Sequence, residues 1–190
     1  MAKKKQLKKS PKAAITIAVV AAVLGIAYGV HHYTSTQITS LHQLVSSTFQ
    51  IDPQTKTSGC KAVNGMPDHP CTPGAIFTTV TKAQVCTSGY SSTVRNVSTT
   101  EKNQVYAEYG VTTHTSGQYE VDHFISLELG GSNDIANLWP EAASPTPGFH
   151  QKDEVENYLH QQLCSGQISL TEAQELISVH WLDAYKLLHP

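Results

Sequence analysis

An uncharged run of eighteen residues, Ala13 to Val30 (AAITIAVVAAVLGIAYGV), constrains this 190-residue chain most. It follows MAKKKQLKKSPK, which carries Lys3, Lys4, Lys5, Lys8, Lys9 and Lys12 and no acid. About 20 apolar residues suffice for a helix to cross a bilayer. A basic flank ahead of such a span keeps the N-terminus on the cytoplasmic side. The alternative is a secretory signal that is cleaved. Against it, the run is long for a signal core, and His31, His32 and Tyr33 follow where small cleavage-site residues belong. The expectation is a basic cytoplasmic flank at 1–12 and a transmembrane signal-anchor at 13–30. The rest of the chain then lies in the periplasm or outside the cell, and is secreted if the segment is cut. Residues 31–55 are rich in Ser, Thr and Gln and read as a stalk, with a short helix over Ile38–Phe49. Residues 56–190 are the right size for one globular domain.

Dividing the chain changes its charge. The part from Lys56 onward holds seven Lys and Arg against fourteen Asp and Glu, a balance of −7 with His neutral. A nucleic-acid binder usually shows a basic footprint. This domain does not, which argues against tight non-specific binding of DNA. A bound divalent cation or protonated histidines would offset the charge locally.

The four cysteines, Cys60, Cys71, Cys86 and Cys164, all follow the apolar span and so face an oxidising compartment. They allow three pairings. The preferred one joins Cys60 to Cys71 across a short Pro- and Gly-containing loop, and Cys86 to Cys164 over a long range. A zinc site is the competing reading, but no C-x-x-C pair is present.

Local patterns give an α+β order. Residues 72–81 and 84–97 lean towards strand. Residues 101–110 read as a helix stopped by Gly110. In 119–129 (YEVDHFISLEL), Val121, His123, Ile125, Leu127 and Leu129 share one parity, a strand period. Residues 130–134 form a Gly-Gly turn, and Ile135–Pro140 a second extended segment. After a Pro-rich loop, Phe149–Leu163 reads as a helix with Val155, Leu159 and Leu163 as its stripe. One last helix starts at Ser169 or Thr171, with Ser169 and Glu172 as a capping box.

Within this order stand Asp122-His123, Gly130-Gly131, Asn137-Leu138-Trp139-Pro140 and His150. The run DHFISLELGGSNDIANLWP resembles the first two motifs of His-Asn-His nucleases. The likeness is specific over 119–157 and softer from about Thr72 to Gly166, where the chain is similar to exported bacterial proteins with this motif. The resemblance implies a ββα-metal core at 119–163 with additional helices. It makes His123 the general base and Asp122 a metal ligand on the opposite strand face. It makes Asn137 a metal ligand or the residue that orients His123, and His150 a further ligand or a phosphate contact. The C-x-x-C pairs that hold a structural zinc in some such proteins are absent, so no structural zinc is expected. Asp153, Glu154 or Asn157 could replace His150 as ligand. Arg95 and Lys152 are candidate phosphate contacts. His69 and His114 read as surface residues, and His160 and His180 carry no assigned role.

The chemistry fits those residue types. Histidine can take a proton from water near neutral pH. One divalent ion, Mg²⁺ first and Mn²⁺, Ca²⁺ or Zn²⁺ as alternatives, can stabilise a scissile phosphate through oxygen ligands. The expected function is a metal-dependent endonuclease of low sequence specificity, acting outside the cytoplasm on DNA (or RNA), with DNA the first choice. The alternative is a non-catalytic surface module that keeps the scaffold to bind nucleic acid or a partner. The sequence points to the membrane and nucleic acid as partners, and to no dedicated protein partner.

Overall fold

The computed structural model describes residues 35–190. The basic flank, the apolar span and residues 31–34 of the expected stalk lie outside the described residues. Among the described residues no helix is long and apolar enough to cross a membrane. The architecture is α+β. In chain order it runs α1 (Ser35–Leu44), α2 (Lys82–Val85), α3 (Tyr90–Val94), α4 (Thr99–Glu108), β1 (Tyr119–His123), β2 (Leu138–Ala142), α5 (Phe149–Ser165), α6 (Leu170–Val179) and α7 (Trp181–Leu188).

β1 and β2 form an antiparallel hairpin in which Glu120 faces Glu141, Val121 faces Pro140, Asp122 faces Trp139 and His123 faces Leu138. Residues directly opposite one another share a face. One face therefore carries Val121, His123 and Leu138, and the other Asp122, Trp139 and Glu141. On the first face Val121 and Leu138 bury against Val105 of α4, with Val97, Tyr106 and Ile135 around them. On the second, Lys152 of α5 reaches Asp122.

The strand ends at His123, although the apolar alternation continues to Leu129. Ile125, Leu127 and Leu129 are all buried, but Leu127–Leu129 is a 3₁₀ turn. The reason is Asn137. Its Oδ1 accepts from the backbone N–H of Ile125 at 2.8 Å and of Ala75 at 3.3 Å. Its Nδ2 donates to the carbonyls of Ile125 and Ser132, each at 2.9 Å. The backbone of Ile125 is thus paired with an amide side chain in place of a second strand.

Residues 84–97, expected to lean towards strand, contain α2 and α3 instead. Thr81 and Gln84 close a capping box that starts α2, so a local cap overrides the β-branched composition. The expected last helix is two, α6 and α7, separated at His180. Its capping box of Ser169 and Glu172 is formed. The helix expected over 149–163 extends to Ser165 and stops at Gly166, whose φ of 86° suits a glycine C-cap. Residues 35–44 are packed and not a free stalk: Leu41 is fully buried, and Ser46 N–H donates to Glu175. Cysteines pair as preferred, Cys60 with Cys71 and Cys86 with Cys164.

Gly131 is required by contact. A Cβ there would stand 1.7 Å from the carbonyl oxygen of Ile125. Gly131→Ala should destabilise the domain by about 3 kcal/mol, because backbone and not a flexible side chain must move. Chemical denaturation of the two proteins measures this, and equal midpoints would refute the close-approach account.

Candidate active site

His123 ends β1 and is 2 % exposed. Its Nε2 lies 3.1 Å from Asn133 Oδ1. Asn133 donates through Nδ2 to the carbonyl of Val94 at 2.7 Å, while its Oδ1 accepts from Asn96 N–H at 3.1 Å. The amide is therefore fixed with oxygen towards the ring. An amide oxygen can only accept, so Nε2 carries the hydrogen. Nδ1 then holds the free lone pair, and it has no hydrogen-bond partner in the protein. Burial holds the imidazole pKa down at about 4, with Arg95 and Lys152 adding to the fall and the Asn133 hydrogen bond and Asp122 opposing it. At neutral pH His123 is an uncharged ring, oriented through Nε2, whose Nδ1 is buried from solvent and has no hydrogen-bond partner.

Asp122 points to the other face, towards α5. There Lys152, fully buried, donates to Asp122 Oδ2 at 2.6 Å, to the carbonyl of His123 at 2.9 Å and to Glu156 Oε1. Glu141 Oε2 is 4.0 Å from the same nitrogen. An unpaired buried ammonium would lose its proton. Burial does oppose the charge on Lys152, yet Asp122, Glu156 and Glu141 together hold its pKa well above the ordinary lysine value. Burial likewise pushes Asp122 up, but the charge and hydrogen bond of Lys152 outweigh it and the carboxylate ends below its ordinary value. Burial raises Glu156 to about 7 and Glu141 well above the usual carboxyl range.

Beside this cluster opens a polar cavity of about 240 Å³, lined by Ser91, Arg95, Ser126, Glu128, Asp153 and Glu156 among others. Arg95 is exposed on its rim. Its charge is felt by His123 and by Asp153. Arg95, expected as a phosphate contact, thus lies within electrostatic reach of His123. Lys152 is not available for one, since its three N–H groups are spent inside the protein.

The residues expected to hold a divalent ion are not brought together. Asp122 is paired with Lys152. Asn137 is fully buried, and both lone pairs of its Oδ1 are used by backbone N–H groups. It makes no bond to His123 either; that place belongs to Asn133. His150 is exposed in the first turn of α5, its ring 4.2 Å from that of Phe149. Of the replacements considered, Asp153 and Asn157 line the cavity, while Glu154 pairs with His189 at 3.0 Å. The ring of His114 stacks on Tyr106. His69 faces Asp52 at 3.7 Å, and His180 is the joint between α6 and α7. His160 lies with Cys86 and Cys164 in a group whose ligand atoms are within 4.8 Å of one another. The two sulfurs are bonded to each other, so they offer no thiolate.

Glu141, Glu156 and Asn133 were not foreseen as site residues. The i,i+4 spacing of Lys152 and Glu156 was a visible signal, but their burial was not. No family model, curated protein or solved structure matches the chain.

The depressed pKa of His123 makes a pH prediction. Its folded value of about 4 lies below the ordinary 6.5, so between these values only the unfolded state binds the proton. The neutral ring therefore costs nothing above pH 6.5, and stability falls as pH drops from 6.5 towards 4. The stability difference between wild type and His123→Gln should be flat above pH 6.5. Below it the difference should decline by up to about 1.4 kcal/mol per pH unit. Denaturation curves at several pH values measure it; a difference independent of pH would show that His123 titrates normally.

Proposed function

We propose that the domain hydrolyses phosphodiester bonds in nucleic acid, DNA before RNA, with low sequence specificity and outside the cytoplasm. The observation that carries this reading is the bare Nδ1 of His123 on a neutral, buried and oriented imidazole. The resemblance of residues 119–157 to His-Asn-His nucleases supplies the reaction class, and the hairpin followed by α5 is consistent with it. Two disulfides are compatible with an extracellular setting.

The step follows from the side chains. Nδ1 is closed to solvent here, so substrate binding must open a path to it; it then takes a proton from a water molecule as the water oxygen attacks phosphorus. The new P–O bond forms as the bond to the leaving sugar oxygen breaks, and that oxygen is protonated from solvent. Arg95 contacts the phosphate and offsets its growing negative charge. The arriving phosphate anion favours the protonated imidazole, which raises the basicity of Nδ1 from its resting value. Asp122 does not act on substrate; paired with Lys152, it fixes the end of β1. The non-catalytic reading has one observation in its favour, the scattered metal ligands, but it leaves the unpartnered Nδ1 without a use.

The test is digestion of plasmid DNA and of RNA, with EDTA and with Mg²⁺ or Mn²⁺, by wild type and His123→Ala. Wild type should cleave, and the variant should lose roughly a hundredfold to ten-thousandfold of the rate while remaining folded. Equal rates, or no cleavage by wild type under any condition, would refute the nuclease reading. Cleavage should weaken with salt, since phosphate contact is electrostatic.

A further inference from the structure

The motif assigns Asp122 to a divalent ion, yet a cation is already there. We infer that the ammonium of Lys152 is the resident cation of the Asp122 site, and that a divalent ion does not share it. The inference deepens the nuclease reading and rests on it only for its bearing on catalysis.

Three observations support it. First, Lys152 Nζ is saturated. A lysine ammonium has three N–H donors and no acceptor. Here the three go to Asp122 Oδ2 at 2.6 Å, to the His123 carbonyl at 2.9 Å and to Glu156 Oε1. The charge sits where β1, β2 and α5 converge, with Glu141 4.0 Å away. Second, the ammonium is buried and takes the Oδ2 of Asp122. The Lys152 side chain is 0 % exposed and Asp122 is 14 % exposed. A divalent ion needs several oxygens at about 2.0–2.6 Å, and the ammonium already occupies that shell of Asp122. Third, the other expected ligands have gone elsewhere. Asn137 Oδ1 has no lone pair left, and His150 is exposed against Phe149.

Through the His123 carbonyl Lys152 also ties the backbone of the proposed base to α5. It is a positioning residue in this account. It offsets charge on the Asp122–Glu156 pair and holds the strand end that carries His123.

Mn²⁺ binding to the full chain, read from the electron paramagnetic resonance signal of the free ion, tests this without reference to cleavage. Wild type should show no Mn²⁺ site that Asp122→Asn removes. Lys152→Ala, with its carboxylates freed, should gain one Mn²⁺ site at least tenfold tighter than any in wild type. The double variant Lys152→Ala, Asp122→Asn should lose it. A single Mn²⁺ site in wild type that disappears in Asp122→Asn would overturn the inference, and that comparison holds even if Lys152→Ala does not fold. Failure of the nuclease reading would appear separately, as absence of cleavage in proteins whose Mn²⁺ binding follows this pattern.

Discussion

The side chain of Asn137 holds the site together. One amide satisfies four backbone groups, the N–H groups of Ile125 and Ala75 and the carbonyls of Ile125 and Ser132. Buried backbone groups left unpaired are costly, so this amide decides where β1 stops and how residues 124–137 fold back. Gly131 can lie against Ile125 only because it lacks a Cβ. The same fold-back brings Asn133 to Nε2 of His123. A local hydrogen-bond pattern thereby fixes which ring nitrogen carries the proton and leaves the other free.

The second constraint is electrostatic. The hairpin separates two environments by strand parity. His123 goes to one face, where burial outweighs the pull of Asp122 and keeps the ring neutral. Asp122 goes to the other, meets Lys152 and is kept ionised. Around Lys152 burial acts against every charge, and the outcome for each group depends on its partner. Asp122 ends below its ordinary pKa; Glu141 and Glu156 end above theirs. A site can thus hold a neutral base a few ångströms from a compact ion cluster inside a domain that is acidic as a whole.

Much of the frame was legible in the sequence. The hairpin, the Gly-Gly turn, the helix from Phe149 and both disulfides follow from parity, stop signals and cysteine spacing. Ser169 with Glu172 announced the start of α6. The failures have physical causes. Alternation to Leu129 reported burial and not strand, because a 3₁₀ turn can bury the same residues. Residues 84–97 looked strand-like from Val, Thr and Tyr, but Thr81 and Gln84 set a helix start there. Nothing local distinguishes an Asn that ligates from one that clamps a loop, so Asn137 was placed in the wrong kind of role and Asn133 was overlooked. Lys152 reads as a phosphate contact in the sequence, but the helix buries it among three carboxylates.

The central claim is that His123 stands neutral at pH 7, with hydrogen on Nε2 and an unprotonated Nδ1. Long-range ¹H–¹⁵N correlation spectra of the histidine rings at pH 7 measure this directly. The account predicts a His123 ring in the Nε2–H form, with Nδ1 resonating as an unprotonated nitrogen, and loss of that single form in Asn133→Ala. A doubly protonated ring, or hydrogen on Nδ1, would contradict it.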